Sequence, residues 1–139
     1  MDSYNFSQFI EAQENNYSTA LSEIKTGRKR THWMWFIFPQ VKGLGSTQMS
    51  VKYSINNIDE AIAYLNHPVL GDRLKEITRE LLKLKDKTAP EIFGSPDDKK
   101  LKSCMTLFST ASSDPIFLQV LEKYFNSEKD KRTLGILGQ

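Results

Sequence analysis

Leu70, Leu74, Ile77, Leu81 and Leu84 recur at alternating intervals of four and three residues. That spacing puts side chains on one face of an α-helix and cannot be reproduced by a strand. The helix it predicts opens at Pro68, which is tolerated in a first turn because the missing N–H would have no partner there. Its apolar face has to be covered by another layer. Just upstream, Ile58, Ala61, Ile62 and Leu65 form a second stripe, opened by an Asn57/Glu60 capping box and closed at Asn66-His67-Pro68. Two consecutive helices that each need a partner define the class of fold the rest of the chain must complete.

The remaining segments carry the same start signals. Asn5 as N-cap with Gln8 at the capping-box position predicts one helix from Asn5 to Lys25, with Phe6, Phe9, Ile10, Tyr17, Ala20, Leu21 and Ile24 on its apolar side and Gly27 beyond its end. Residues 33–38 are apolar at every position, so periodicity alone cannot separate a buried strand from a short buried helix. Thr31 ahead of the run and Pro39 behind it favour a short helix capped by Thr31. A glycine-bearing loop follows over residues 41–46, and Ser46 opens a short helical stretch to about Tyr53. Thr88-Ala89-Pro90-Glu91 reads as a single turn ending at Gly94. Ser95-Pro96-Asp97-Asp98 then combines an N-cap, a first-turn proline and a third-position acid ahead of Leu101, Cys104, Met105, Leu107, Phe108 and Ala111. Asp114-Pro115 starts a helix through about Phe125, and Asp130 caps a last one through Leu137. Six or seven helical segments, no alternating strands and no internal repeat predict an all-α fold, a single compact irregular bundle over residues 1–139.

Composition narrows the function classes. A chain of 139 residues with 39% hydrophobic and 26% charged side chains is built for one ordinary core, with neither the depletion of a disordered chain nor the run of apolar residues of a membrane span. Met1-Asp2-Ser3-Tyr4-Asn5 lacks the basic and apolar regions of a signal peptide, so the expected location is cytoplasmic, with no membrane partner. Cys104 is the only cysteine and His32 and His67 the only histidines, which rules out an internal disulfide and offers no zinc-ligand spacing. No metal or other cofactor is expected. A net charge of +2 does not by itself argue for a nucleic-acid partner, and does not exclude one.

Three strings stand out by their order and spacing: Gly27-Arg28-Lys29-Arg30-Thr31-His32-Trp33-Met34-Trp35-Phe36-Ile37-Phe38-Pro39-Gln40 with Gly43-Leu44-Gly45 after it, Tyr64-Leu65-Asn66-His67-Pro68-Val69-Leu70-Gly71, and Phe93-Gly94-Ser95-Pro96-Asp97-Asp98-Lys99. Together they resemble the family known as domain of unknown function 1810, over nearly the whole chain. The resemblance implies a small, all-helical bacterial protein and supplies no mechanism. The C-terminal layout, Leu101 to Phe108, Asp114-Pro115 and Asp130 to Gly138, is similar to the end of the NADAR family, whose members are associated with ADP-ribose chemistry. That family's tryptophan-and-glycine ending has no counterpart in Thr133-Leu134-Gly135-Ile136-Leu137-Gly138, and no catalytic residue is carried over.

Candidate site residues follow from the chemistry they would support. Arg28, Lys29 and Arg30, beside Trp33 and Trp35, supply cations for phosphate oxygens and indole faces for stacking a base. The plain alternative is a solvated basic turn followed by core aromatics. Asp97 heads the apolar stripe of Leu101, Cys104, Met105 and Phe108, so it should point inward. There it either pairs with a cation such as Arg28, Arg30 or Lys99, or stands in a cleft suited to acid-base work. His32 is the better placed of the two histidines to titrate. Gln13 interrupts the apolar stripe of the first helix, and a buried amide there needs hydrogen-bond partners, whether protein or ligand. Cys104, on an apolar stripe, reads as inert core.

Two functional readings result. In the first, the protein binds a nucleotide or ADP-ribose-type small molecule and acts as a hydrolase on a glycosidic bond: Arg28, Lys29 and Arg30 hold phosphate, Trp33 or Trp35 stacks, Gln13 contacts the ligand, and Asp97 or His32 moves the proton. In the second it is a non-catalytic helical protein-interaction module whose charged face meets a partner.

Overall fold

The leucine stripe forms α6 (Leu70–Lys83), with Leu70, Leu74, Ile77 and Leu81 all buried, in a computed structural model that describes residues 4–139. The Met1–Ser3 part of the N-terminal reading lies outside the described residues. His67, which closes the preceding stripe in sequence, starts α6: its Nδ1 accepts the backbone N–H groups of Val69 and Leu70 at 3.1 and 3.2 Å. This satisfies donors that the first turn leaves without an intrahelical partner. Gly71 allows α6 to turn sharply away from α5 (Ile58–Asn66), because a Cβ at that position would lie 1.9 Å from the Leu65 carbonyl oxygen. Only a residue without a side chain fits this corner.

Ten helices occupy the described residues. The others are α1 (Ser7–Glu14), α2 (Tyr17–Lys25), α3 (Met34–Ile37), α4 (Gln48–Lys52), α7 (Ala89–Phe93), α8 (Asp97–Ala111), α9 (Ile116–Phe125) and α10 (Lys131–Leu137). The helical class agrees with the sequence, while the count exceeds six or seven for two reasons. Three of the elements are single turns of four or five residues. The helix expected from Asn5 to Lys25 also breaks in two, where Asn16 Nδ2 donates to the Ala12 carbonyl at 2.7 Å. Asparagine amides compete in this way with the backbone ladder. No strand forms among the described residues; a lone parallel bridge joins Val41 to Ile55.

Helix α8 is the post around which the rest is arranged. Leu101 and residues 103–108 are all buried, so this stretch is covered on nearly every side, and α5, α7, α9 and α10 pack against it. An aromatic series runs through the core from Phe9 to Tyr64, Phe108 and Phe117, with neighbouring ring centroids 5.4 to 5.8 Å apart. Edge and tilted contacts at these distances contribute beyond simple burial. Cys104 sits inside this core, where burial pushes its thiol well above the ordinary range and leaves it unreactive.

Several caps fall on residues other than those the sequence suggests. Phe6 stands at the N-cap of α1, and Asn5 instead accepts the Ser7 N–H at 3.0 Å; Gln8 completes no capping box. The short helix in the aromatic run is real but begins at Met34, and Thr31 does not cap it because its hydroxyl is bonded to Glu23. Thr47, not Ser46, caps α4. Ser95 caps nothing: the Gly94 and Pro96 carbonyls take the N–H groups of Asp98 and Lys99 that a serine hydroxyl would have received. At Asn57 the cap to Glu60 N–H forms as expected, while the Glu60 carboxylate bonds Asn56 in place of Asn57. Thr88 and Asp130 cap α7 and α10 as their spacing requires.

Candidate ligand-binding cleft

The 28–30 turn is fixed from beneath by a residue that sequence reasoning missed. Glu23, on α2 and 8% exposed, accepts the backbone N–H groups of Arg30 and Thr31 at 2.7 and 3.1 Å and the Trp33 indole N–H at 2.9 Å, all through Oε1. Its other oxygen accepts the Thr31 hydroxyl at 2.9 Å. Burial alone would raise this carboxyl, but the four bonds outweigh it and hold the group below its ordinary value. Glu23 therefore sets the turn and the depth of Trp33. No local pattern marks it, since its partners lie seven to ten residues downstream.

With the turn fixed, Lys29 points inward and its two neighbours stay exposed. Its Nζ lies 3.0 Å from Asp97 Oδ2 and 5.2 Å from the centre of the Trp33 ring, with the side chain only 8% exposed. Asp97 Oδ1 pairs with Lys100 Nζ at 3.3 Å, and that second ammonium lies 4.9 Å above the Trp35 ring. Asp97 points inward as its place on the helix predicts, but its partners are Lys29 and Lys100 and not Arg28, Arg30 or Lys99. The result is a chain of alternating charges, Lys29, Asp97 and Lys100, with an indole under each cation. Charges this far from solvent persist only when paired, and the arrangement does this while leaving one cation in excess.

Lys100 and Trp35 carry the chain into a cleft of about 410 Å³. Its walls come from four places: Trp35 and Gln40 on and after α3; Leu44, Gly45, Thr47 and Ser50 from the following loop and α4; Pro96, Lys99, Lys100 and Ser103 from α8; and Asp130 and Arg132 from α10. The last wall is set by Thr106 of α8, whose hydroxyl accepts the Asp130 N–H at 2.9 Å. Asp130 then caps α10 by accepting the Thr133 N–H and hydroxyl at 2.9 and 2.6 Å. Around the cleft and the chain behind it stand four cations, Lys29, Lys99, Lys100 and Arg132, against two carboxylates, Asp97 and Asp130. A concave site with a positive excess and an aromatic wall attracts anions carrying a planar group.

The residues singled out from sequence separate accordingly. Trp33 is core and Trp35 faces the cleft, which divides two residues that sequence treats alike. Arg28, Arg30 and His32 are exposed and lie outside the cleft lining, and Lys29 and Asp97 stand behind it. Gln13 lies elsewhere, between helices. Its Nε2 donates to the Phe36 carbonyl at 2.7 Å and to the Tyr64 hydroxyl at 3.2 Å, and its Oε1 accepts from Arg73 at 3.3 Å. Those bonds use the amide's capacity on protein partners. Sequence does not mark Lys99, Lys100 and Arg132 as lining one cleft; two of them adjoin the Asp97-Asp98 pair, but the arrival of α10 at the cleft is a tertiary event. Among the described residues no three His, Cys, Asp or Glu side chains gather in a way that could hold a metal ion. No helix there is long and apolar enough to cross a membrane.

The family described as "Protein of unknown function (DUF1810)" matches residues 3–137 of the chain. The chain belongs to the DUF1810 family. The resemblance carried by the three strings above is thereby established. The chain is similar in structure to the conserved hypothetical protein Rv1873 from Mycobacterium tuberculosis, whose crystal structure is 43% identical in sequence, matches over 99% of both chains and superposes with a TM-score of 0.96. No curated protein matches the chain. DUF1810 membership thus agrees with the all-helical fold.

Proposed function

We propose that the cleft binds a small, phosphate-bearing ligand of the nucleotide or ADP-ribose type. The observation that carries this reading is the cation excess around a cavity walled by Trp35, with Lys100 poised between Asp97 and the open space. Lys99, Lys100 and Arg132 take the role first given to the 28–30 triplet, and Trp35 is the indole that meets a planar group. Hydrolysis of a glycosidic bond is supported less than binding. Of the two nearby carboxylates, Asp97 is paired with two lysines and Asp130 is engaged in capping α10.

Titration of the protein with AMP, ADP, ADP-ribose and pyrophosphate, followed by calorimetry and melting temperature, tests the reading. A ligand at about 100 times its Kd should stabilise the fold by about 2.7 kcal/mol. Lys100→Ala and Arg132→Ala should weaken binding and flatten its dependence on salt, since each removes one charge contact. Arg28→Ala and Arg30→Ala should leave affinity unchanged. A flat response to the whole panel would overturn the reading, and release of free base from a bound nucleotide would restore the hydrolase.

A further inference from the structure

The stretch over residues 43–52 is built as an excursion from the body of the protein. Its base is pinched shut where Lys42 N–H donates to the Ile55 carbonyl at 2.8 Å and Ile55 N–H donates to the Gln40 carbonyl at 2.9 Å, with Val41 and Ile55 both buried. Tyr53, just inside the pinch, is buried against Phe9 and Phe36, but residues 43–52 bury no side chain fully and only Leu44 among their apolar residues packs against the core. Helix α4 contributes no buried residue, and Met49 and Val51 face outward. The excursion begins at Gly43, whose φ of +107° is a backbone state that other residues rarely adopt. A compact loop with adjacent ends and few core contacts belongs to the less stable part of a fold.

The inner side of the same stretch, Leu44, Gly45, Thr47 and Ser50, is one wall of the cleft. Apart from bonds to its immediate neighbours Tyr53 and Ser54, one hydrogen bond among the described residues joins it to the rest of the chain: Arg132 Nη2 donates to the Leu44 carbonyl at 3.3 Å. Arg132 also lines the cleft and is otherwise exposed. A guanidinium has five N–H donors in a fixed fork, so an anion in the cleft can take two of them and still leave one for the carbonyl.

We propose that residues 43–52 form a flap over the cleft, and that Arg132 couples closure of this flap to occupancy by an anionic ligand. The proposal rests on the anion-binding reading of the cleft. Without a ligand, the latch among the described residues that reaches the flap from a distant element is a single exposed arginine. A bound anion orients that side chain, and the ordering cost of the latch is then already met when the Leu44 carbonyl docks.

Backbone hydrogen exchange resolved over residues 43–53 tests the coupling. In the unliganded protein Arg132→Gln, a surface change that should not disturb folding, speeds exchange across the flap and leaves the pinched amides of Lys42 and Ile55 unchanged. With the tightest binder among AMP, ADP, ADP-ribose and pyrophosphate at about ten times its Kd, flap exchange in the unmodified protein slows roughly tenfold, as expected where opening releases the ligand. At ten times its own weaker Kd, Arg132→Gln binds without that protection. Binding to the unmodified protein with no change in the flap, or equal protection in the variant, overturns the coupling and leaves the binding site standing. Failure of all four probes to bind overturns both.

Discussion

Lys29 and Asp97 form the most deeply placed ion pair among the described residues, 3.0 Å apart with side-chain exposures of 8% and 19%. The two partners are not equivalent. Asp97 serves a second lysine, whereas Lys29 has Asp97 as its one carboxylate partner among the described residues. Asp97→Asn should therefore cost about 3 kcal/mol, because it strands an ammonium against Trp33. Lys29→Met removes the charge, keeps an apolar stem on the indole and leaves Asp97 with Lys100, so its cost should stay below about 1 kcal/mol. Urea midpoints of the two variants decide the matter, and equal losses would show that the pair is effectively solvated.

A second expectation concerns pH. Glu23 is held below its ordinary value of 4.5 in the folded state, so the folded protein binds this proton less readily than the unfolded chain does. The stability it contributes is complete above that value and is lost as pH falls from about 4.5 through the lower, folded-state value. Glu23→Gln should accordingly be less stable than the unmodified protein at pH 7, by about 1 to 3 kcal/mol for bonds made to a charged group. The gap should narrow as both are titrated below pH 4.5. A gap that stays constant down to pH 3 would assign the loss to packing and not to the carboxylate charge.

The corner between α5 and α6 gives an expectation opposite to the general rule. Replacing a helical glycine by alanine usually stabilises by up to about 1 kcal/mol. At Gly71 the new methyl would meet the Leu65 carbonyl oxygen at 1.9 Å, a backbone atom that cannot move without shifting α5. Gly71→Ala should lose about 3 kcal/mol. Its melting temperature, compared with that of Gly135→Ala, where nothing lies within 4 Å of the added Cβ, isolates the clash from the backbone effect.

The parts of this fold legible in the sequence are those set within a single turn. The stripe of α6 and the caps at Asn57, Thr88 and Asp130 depend on residues three or four positions apart, and each forms as its spacing requires. Ser95 and Thr31 satisfy the same local rule and cap nothing, because backbone carbonyls in one case and Glu23 in the other reach those groups first. At the candidate site, the inward direction of Asp97 follows from its helix. Its partners do not, since two adjacent lysines on α8 look alike in sequence and only Lys100 is brought over Trp35 to the acid. Arg132 and Leu44, separated by 88 positions, carry no sequence signal of their meeting.

The unequal burial of the two tryptophans has an optical consequence. Trp33 is 1% exposed with its indole N–H bound to Glu23, so its emission should be blue-shifted, beyond the reach of dissolved quenchers and insensitive to events in the cleft. Trp35 lines that cleft under an ammonium group, and the surrounding positive charge should draw iodide to it in preference to neutral acrylamide. The chain thus holds a steady internal reference and a responsive probe only two residues apart, and the ratio of their signals reports on the cleft without any added label.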